Sequence, residues 1–203
     1  MKTKRKLVSE YRRAEIIDAA RSAFARRGFA HAIIDEIAKE AGIAKGTVYL
    51  YFHSKTEIYR AVLDHDMKLL KKETREQIDA AATLKEKISA FILARLKNAE
   101  ARKEFFRIMD SEHGRLSMTR NQYREFLGEP VQRLASAIEE ASRQGEIKPV
   151  PPEKAAWIIA DMTRGTIQRR LLGQSSSSLR AEAEFLTSFI WAALDNWQET
   201  RKS

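Results

Sequence analysis

Apolar side chains recur at spacings of three and four residues along almost the whole chain, and no stretch alternates apolar with polar residues as a half-buried strand does. The pattern predicts an all-α protein. The leading Met1–Val8 segment is basic and lacks this period, so we expect a disordered arm there. We expect helices over residues 10–27, 34–41, 45–51, 55–81, 84–100, 102–111, 119–143, 152–172 and 179–200.

Residues that cap or break helices mark the ends of these segments. Ser54 and Glu57 have the spacing of a capping box before a long helix, and Ser178 is the expected cap of the last helix. Gly128 and Pro130 predict a kink or a split within 119–143. Further breaks are expected at glycine, proline and serine clusters, namely residues 113–114, 145–152 and 173–178.

Residues 33–55 are the most informative segment of the chain. Gly42 ends the first of two short helices, because a left-handed backbone position favours a residue without a Cβ. The small side chain of Ala38 lets the two helices approach each other, and Val48 is expected to pack between them. The second helix, from about Lys45 to Tyr51, is the one that would enter the major groove of DNA. The segment is therefore a predicted helix-turn-helix.

This helix-turn-helix resembles that of the TetR family of bacterial transcriptional regulators, on a run that reads Lys45-Gly46-Thr47-Val48-Tyr49, then an aromatic pair, then Ser54-Lys55-Thr56-Glu57. The resemblance continues upstream through the Gly28-Phe29 pair and covers about residues 10–65. It implies a three-helix, homeodomain-like DNA-binding domain over residues 1–55, including the basic arm. Residues 56–203 would then form a helical effector-binding and dimerisation domain.

Positive charge is concentrated in the same part of the chain. Residues 1–55 hold twelve Lys or Arg against six Asp or Glu, and so carry six of the nine surplus positive charges. Neutralising DNA phosphates requires such a surplus. A basic face that is merely solvated would give the same charge count, but the accompanying motif favours DNA.

Seven residues are candidate DNA contacts: Lys45, Gly46, Thr47, Tyr49, Tyr51, His53 and Lys55. Lys45 is expected to reach a phosphate or a guanine edge, and the resemblance implies base and backbone contacts for the cluster that follows it. Tyr51 and His53 are expected to touch phosphates, and Lys55 to hold one at the start of the next helix. The alternative for either lysine is a solvated surface position, and for Tyr49 a partly buried one.

Two positions depart from the family pattern, which favours small hydroxyl residues where this chain has Ile33 and Ala44. Both are expected to be helix N-caps. Neither side chain can accept the capping hydrogen bond, so each helix start loses on the order of 1 kcal/mol. A hydroxyl that would contact phosphate at position 33 is also missing. We therefore hypothesise that Ile33→Thr tightens operator binding.

Large apolar side chains line the helices beyond residue 80, and most are expected to be ordinary core. The resemblance implies that the last two helices form a four-helix dimer interface, which would include Ile158, Gly165, Phe185 and Phe189. It also implies a small-molecule pocket among the middle helices. Candidate ligand contacts are polar or amphipathic residues on apolar segments, and a surface or salt-bridge role is the favoured alternative for each: Arg95, Tyr123, Trp157, Asp161 and Arg164.

Other classes of protein find little support. Cysteine is absent and the four histidines lie far apart, so we expect neither a metal nor a cofactor. The chain has no glycine-rich phosphate loop and no spaced nucleophile and base, which argues against an enzyme. Its apolar stretches are too short to span a membrane and no signal core follows the basic start, so we expect a cytoplasmic protein that does not associate with membranes.

The sequence therefore predicts a sequence-specific transcriptional regulator, a ligand-responsive repressor that binds a pseudo-palindromic operator in double-stranded DNA as a homodimer. The alternative is a nonspecific, nucleoid-type DNA-binding protein, which the basic arm alone would serve. A discrete footprint distinguishes the regulator from a protein that coats DNA uniformly.

Overall fold

The computed structural model describes residues 2–110 and 120–198, and every regular element within these ranges is an α-helix. The predicted all-α fold is confirmed. The helices are α1 (Lys2–His31), α2 (Ile34–Glu40), α3 (Lys45–Tyr51), α4 (Lys55–Asp79), α5 (Leu84–Ala101), α6 (Lys103–Asp110), α7 (Arg120–Arg143), α8 (Pro152–Leu171) and α9 (Leu179–Asp195).

The basic N-terminal segment is helical, so the prediction of a disordered arm is wrong over the described residues. Helix α1 begins at Lys2 and continues through Ser9 into the amphipathic segment without a break. The physical reason is local, because lysine, arginine and leucine are good helix formers and no glycine or proline separates them from the segment that follows. Near its other end α1 is kinked at Gly28, whose φ of 71° and ψ of 168° are not helical.

The described residues divide into two compact units, and the division falls inside α4 between Lys68 and Leu69. Residues 2–68 and 102–110 form the first unit, and residues 69–101 and 120–198 form the second. By contact, residues 56–68 and 102–110 therefore group with the helix-turn-helix. The functional division between residues 55 and 56 stays a prediction.

The interior of the first unit joins α1, α4 and α6 around aromatic rings. Phe24 and Phe29 each lie 5.1 Å from the ring of Tyr59, in edge-on arrangements. The Tyr59 hydroxyl donates a hydrogen bond of 3.2 Å to the carbonyl of Ile108. Nearby Arg21 binds both carboxylate oxygens of the buried Asp66, at 2.6 and 2.7 Å. These contacts fix α1 against α4, the two helices that precede and follow α2 and α3 in the chain.

The second unit is a helical bundle in which α5 packs against α7, α8 and α9. Helix α7 runs through Pro130 as one element, so the predicted split is absent, although proline removes one helical hydrogen bond there. The predicted cap at Ser178 is confirmed, because its hydroxyl accepts a hydrogen bond of 3.1 Å from the backbone N–H of Ala181. The break expected at residues 113–114 lies outside the described residues.

Candidate nucleic-acid interface

The turn between α2 and α3 has the geometry that the sequence predicts. Gly42 adopts a left-handed φ of 67°, and the backbone N–H of Ile43 donates to the carbonyl of Ala38 at 3.0 Å. Ala38 and Val48 are both buried. The small residue, the glycine and the apolar residue of α3 thus bring the two short helices together, and this packing fixes which face of α3 points outward.

The outward face of α3 carries polar groups and one large apolar side chain. Lys45, Gly46 and Tyr49 are exposed, and Thr47 is half-buried. The exposed fraction of Tyr49 is 44%, which answers the alternative that it belongs to the core. Leu50 is 80% exposed, the largest exposed fraction among the large apolar side chains whose burial the structure describes, and sequence reasoning passed over it.

Lys45 is held in an ion pair across the helix-turn-helix. Its ammonium lies 2.6 Å from a carboxylate oxygen of Asp35, on α2, and both side chains are more than half exposed. The hydrogen bond to Asp35 raises the pKa of Lys45 above its usual value. The pair with Asp35 therefore favours the charged form of the lysine and orients it within the protein.

Lys55 has internal partners that its sequence position does not reveal. Its ammonium donates hydrogen bonds to the carbonyls of Ala30 and Ala32, at 3.1 and 3.0 Å, and lies 4.6 Å from the centre of the Phe29 ring. These contacts tie the start of α4 to the end of α1. The predicted phosphate contact of Lys55 stays a prediction. Two of the three ammonium N–H groups bond to these carbonyls, so the third would have to donate to the phosphate.

A second cation, Arg13, supports the other end of α3. Its guanidinium donates to the carbonyl of Tyr51 at 3.1 Å and stacks 4.2 Å from the centre of the buried Phe52 ring. Tyr51 is half-buried and His53 is exposed beyond it. Sequence reasoning missed Arg13, since only its place on the face of α1 nearest α3 distinguishes it from other arginines.

The two atypical N-caps are confirmed as caps. Ile33 precedes α2 and Ala44 precedes α3, and neither side chain makes a capping hydrogen bond. The start of α4 is capped instead by side chains. Ser54 accepts from the backbone N–H of Glu57 at 3.1 Å, and the Glu57 carboxylate accepts from the backbone N–H of His53 at 2.7 Å.

The five candidate ligand contacts lie on α5, α7 and α8, three helices that pack together in the second unit. Arg95 is half-buried, with its guanidinium 5.2 Å from the Phe91 ring, and Trp157 is also half-buried. Asp161 and Arg164 are exposed and form an ion pair of 3.0 Å with each other. The Tyr123 side chain lies outside the described residues.

A separate open cavity of about 700 Å³ lies in the second unit, between residues of α4, α5 and α7 such as Ile78, Lys87 and Arg133. None of the four described ligand candidates lines it. Across the described ranges, no helix combines the length and apolar character that crossing a membrane requires.

The first unit thus has the architecture of a helix-turn-helix protein. No described residue packs on the outer face of its second short helix, α3, and cationic and aromatic side chains lie around that face. Comparison with known proteins places it more narrowly. The family model for bacterial regulatory proteins of the tetR family matches residues 16–62, which run from α1 into α4. The HTH-type transcriptional regulator TtgR of Pseudomonas putida is 27% identical over 184 residues, which cover 85% of this chain and 86% of that protein.

Two solved structures of regulators share the fold over most of the chain. The fatty acid degradation regulator FadR from Bacillus halodurans superposes with a TM-score of 0.74 at 22% identity, covering 88% of this chain and 93% of that one. FadR from Bacillus subtilis, solved in complex with stearoyl-CoA, gives a TM-score of 0.73 at 23% identity, covering 91% and 99%. Residues 16–62 are therefore a DNA-binding domain of the TetR family, and the chain is a DNA-binding transcriptional regulator similar to members of that family. Its relatives are transcriptional regulators and not enzymes.

Proposed function

We propose that this regulator is a ligand-responsive repressor, which binds a pseudo-palindromic operator as a homodimer. Residues 1–55 act as the DNA-binding domain, and residues 56–203 bind the effector and form the dimer. The observation that carries the DNA-binding part is the unpacked outer face of α3, with Lys45, Gly46 and Tyr49 exposed on it. Thr47, Tyr51, His53 and Lys55 complete the proposed contact set, with the last three directed at phosphates.

An exposed apolar face on α9 supports dimerisation. Phe185 and Phe189 are 70% and 58% exposed, and their rings stack with centres 6.3 Å apart. Ile158 on α8 is exposed as well. Contiguous apolar surface of this kind marks interaction sites, and a two-fold axis would pair each patch with its copy. Two α3 helices would then meet successive major grooves.

Asp161 and Arg164 lie on the exposed side of α8, as Ile158 does. This placement favours a role at the subunit contact over a role in a pocket. Arg95 and Trp157, which are half-buried, remain the better candidates for effector contacts, together with Tyr123. The effector would act by binding more tightly to the conformation that does not fit the operator, since only a difference in affinity can shift the balance.

The decisive experiment is selection of bound fragments from random DNA, followed by footprinting and measurement of the protein to DNA ratio. A discrete palindrome protected by an even number of chains supports the proposal, and affinity should fall steeply as salt rises. Uniform protection without a preferred site would instead favour the nucleoid-type alternative. Derepression of a reporter carrying the selected site, when the protein is removed, distinguishes a repressor from an activator.

Effector response is tested on the same site. Long-chain acyl-CoA is the first compound to try, because a protein of this fold has been solved with stearoyl-CoA. Release of the DNA at a saturating dose, together with a rise in melting temperature of the protein without DNA, would support an effector of this class. A melting temperature unchanged by acyl-CoA would exclude it and direct the search to other compounds.

A further inference from the structure

The outer face of α3 has an apolar centre. Leu50 is 80% exposed, whereas the apolar residues Val48 and Phe52 on either side of it in sequence are fully buried. A single exposed leucine needs no explanation on an ordinary surface. Leu50 lies on the helix that a helix-turn-helix protein places in the major groove, where an exposed side chain can contact the edge of a base.

The geometry of α3 places Leu50 at the middle of that face. At about 100° per residue, positions 46 and 50 both lie roughly opposite the buried Val48. Side chains on a helix lean toward its N-terminus, so Leu50 leans over the turn that contains Gly46. Gly46 has no side chain, and the space where its Cβ would stand holds no atom within 4 Å. Among the described residues, nothing therefore covers Leu50 from that side.

A leucine has no hydrogen-bonding group, so it can distinguish base pairs only by apolar contact. In the major groove the only apolar group of the four standard bases is the 5-methyl group of thymine. We infer that Leu50 is a specificity-determining residue, which packs on a thymine methyl group in each half-site. The inference rests on the proposed binding of a discrete operator, and it names one base that such an operator must contain.

The neighbours of Leu50 have complementary chemistry. Lys45 and Tyr49 lie on one side of Leu50 around the helix and carry an ammonium and a phenol, both exposed. These groups can hydrogen-bond to phosphates or to base edges, whereas Leu50 cannot. Affinity and register would therefore come largely from the polar groups, and the preference for thymine at one position from the leucine.

The test compares thymine with uracil, which presents the same hydrogen-bonding groups but lacks the methyl. Each thymine of the selected site is replaced singly by uracil, and affinity is measured by fluorescence anisotropy at one fixed salt concentration. For the wild-type protein we expect a loss of roughly three- to tenfold at one position in each half-site, the size expected for burying one methyl group. For Leu50→Ala, thymine and uracil at that position should bind equally.

Leu172→Ala is the matched control, because Leu172 is 69% exposed at the end of α8 in the second unit. It should keep the wild-type preference for thymine. Leu50→Ala should keep the wild-type melting temperature, since the side chain packs on little. The inference is overturned if every uracil substitution is neutral in the wild type, or if Leu50→Ala retains the full preference. Failure to select any discrete site would instead overturn the proposed function, and the inference with it.

Discussion

The ammonium of Lys45 lies 2.6 Å from a carboxylate oxygen of Asp35, so the first basic group of α3 is already paired within the protein. The two residues belong to the two helices of the helix-turn-helix, Lys45 to α3 and Asp35 to α2. An ion pair so exposed to water contributes little to stability, which means that a DNA phosphate can compete for the lysine. Asp35 also keeps a negative charge beside α3, the helix proposed to face DNA, where it would repel an approaching phosphate.

Asp35→Asn should therefore strengthen DNA binding and make it less selective. Removing one negative charge frees Lys45 for phosphate, and we expect affinity for random duplex to rise roughly three- to tenfold at low salt. The slope of log affinity against log salt should steepen by up to about 0.9, the value for one further phosphate neutralised. Anisotropy titrations over a range of salt concentrations measure both quantities.

Asp64→Asn is the control for net charge. Asp64 is paired with Lys68 on α4 at 2.7 Å in a similarly exposed pair, but it lies outside the helix-turn-helix. This variant should change affinity and salt slope much less than Asp35→Asn. Equal effects of the two substitutions would show that total charge alone matters, and that the pair with Lys45 has no particular role.

Ile33→Thr should stabilise the protein and tighten operator binding. Ile33 is the N-cap of α2, with φ −115° and ψ 148°, and makes no capping bond. A threonine hydroxyl there can accept from a free backbone N–H of the first turn, which is worth about 1 kcal/mol in the free energy of unfolding. The same hydroxyl offers a donor to phosphate. Denaturant unfolding and a titration at fixed salt test the two effects separately.

Ile33→Val is the matched control, because valine has nearly the shape of threonine without the hydroxyl. It should show neither gain. If the threonine variant gains stability but binds the operator no better than the valine variant, the hydroxyl acts only as a cap and the hypothesis of a phosphate contact is rejected.

Lys55→Met should reduce stability as well as electrostatic binding. Methionine keeps much of the apolar stem but cannot donate to the carbonyls of Ala30 and Ala32, which Lys55 bonds at 3.1 and 3.0 Å. Losing charged hydrogen bonds of this kind costs about 1–3 kcal/mol in the free energy of unfolding. Thermal unfolding should show a lower midpoint. The proposed phosphate contact predicts in addition a salt slope flatter by about 0.9, and an unchanged slope would contradict that part of the proposal.

Glu86, at the start of α5, should make the stability of the folded protein depend on pH. Its carboxylate accepts from the backbone N–H groups of Thr83 and Ala82, and these bonds hold the pKa of Glu86 below its ordinary 4.5. A carboxyl whose pKa is lower in the folded state adds stability above the unfolded-state pKa, and this stability is lost as pH falls through the lowered value. The free energy of unfolding should therefore fall more for the wild type than for Glu86→Gln between neutral pH and about pH 3. If the wild type and Glu86→Gln lose the same unfolding free energy over this pH range, Glu86 is not the group responsible.

Most of the fold was predictable, because the signals that define a helix are local. The apolar period places each helix, and Gly42, Ser54 and Ser178 mark ends that the structure confirms. The N-terminal segment was wrongly predicted, since a lack of apolar period indicates only that a helix has no buried face. Residues with good helix propensity can continue a neighbouring helix without one, as those from Lys2 to Val8 do.

Less of the candidate site was predictable, because its contacts depend on how helices pack. The partners of Lys55 lie 23 and 25 residues earlier in the chain and are brought to it at the end of α1. Asp35 reaches Lys45 only because Gly42 turns the chain back. Leu50 was overlooked because an apolar residue is ordinarily expected inside, and only the direction in which α3 packs shows that this one points out.

Phe189→Glu should disrupt the proposed dimer and weaken operator binding with it. The Phe189 ring is mostly exposed and stacks on Phe185, so a carboxylate there should disturb little of the interior but would place two like charges at a two-fold interface. Sedimentation should show a monomer. Because two joined heads bind two half-sites with a high effective concentration, operator affinity should fall on the order of 100-fold.

Leu172→Glu introduces the same charge at another exposed apolar residue of the second unit, and it should leave both the mass and the affinity unchanged. A Phe189→Glu protein that still sediments as a dimer would show that the subunits join elsewhere. A monomer that binds the full operator as tightly as the wild type would show something different, namely that one head suffices. In that case the palindrome, and not the apolar face of α9, would be the part of the proposal to abandon.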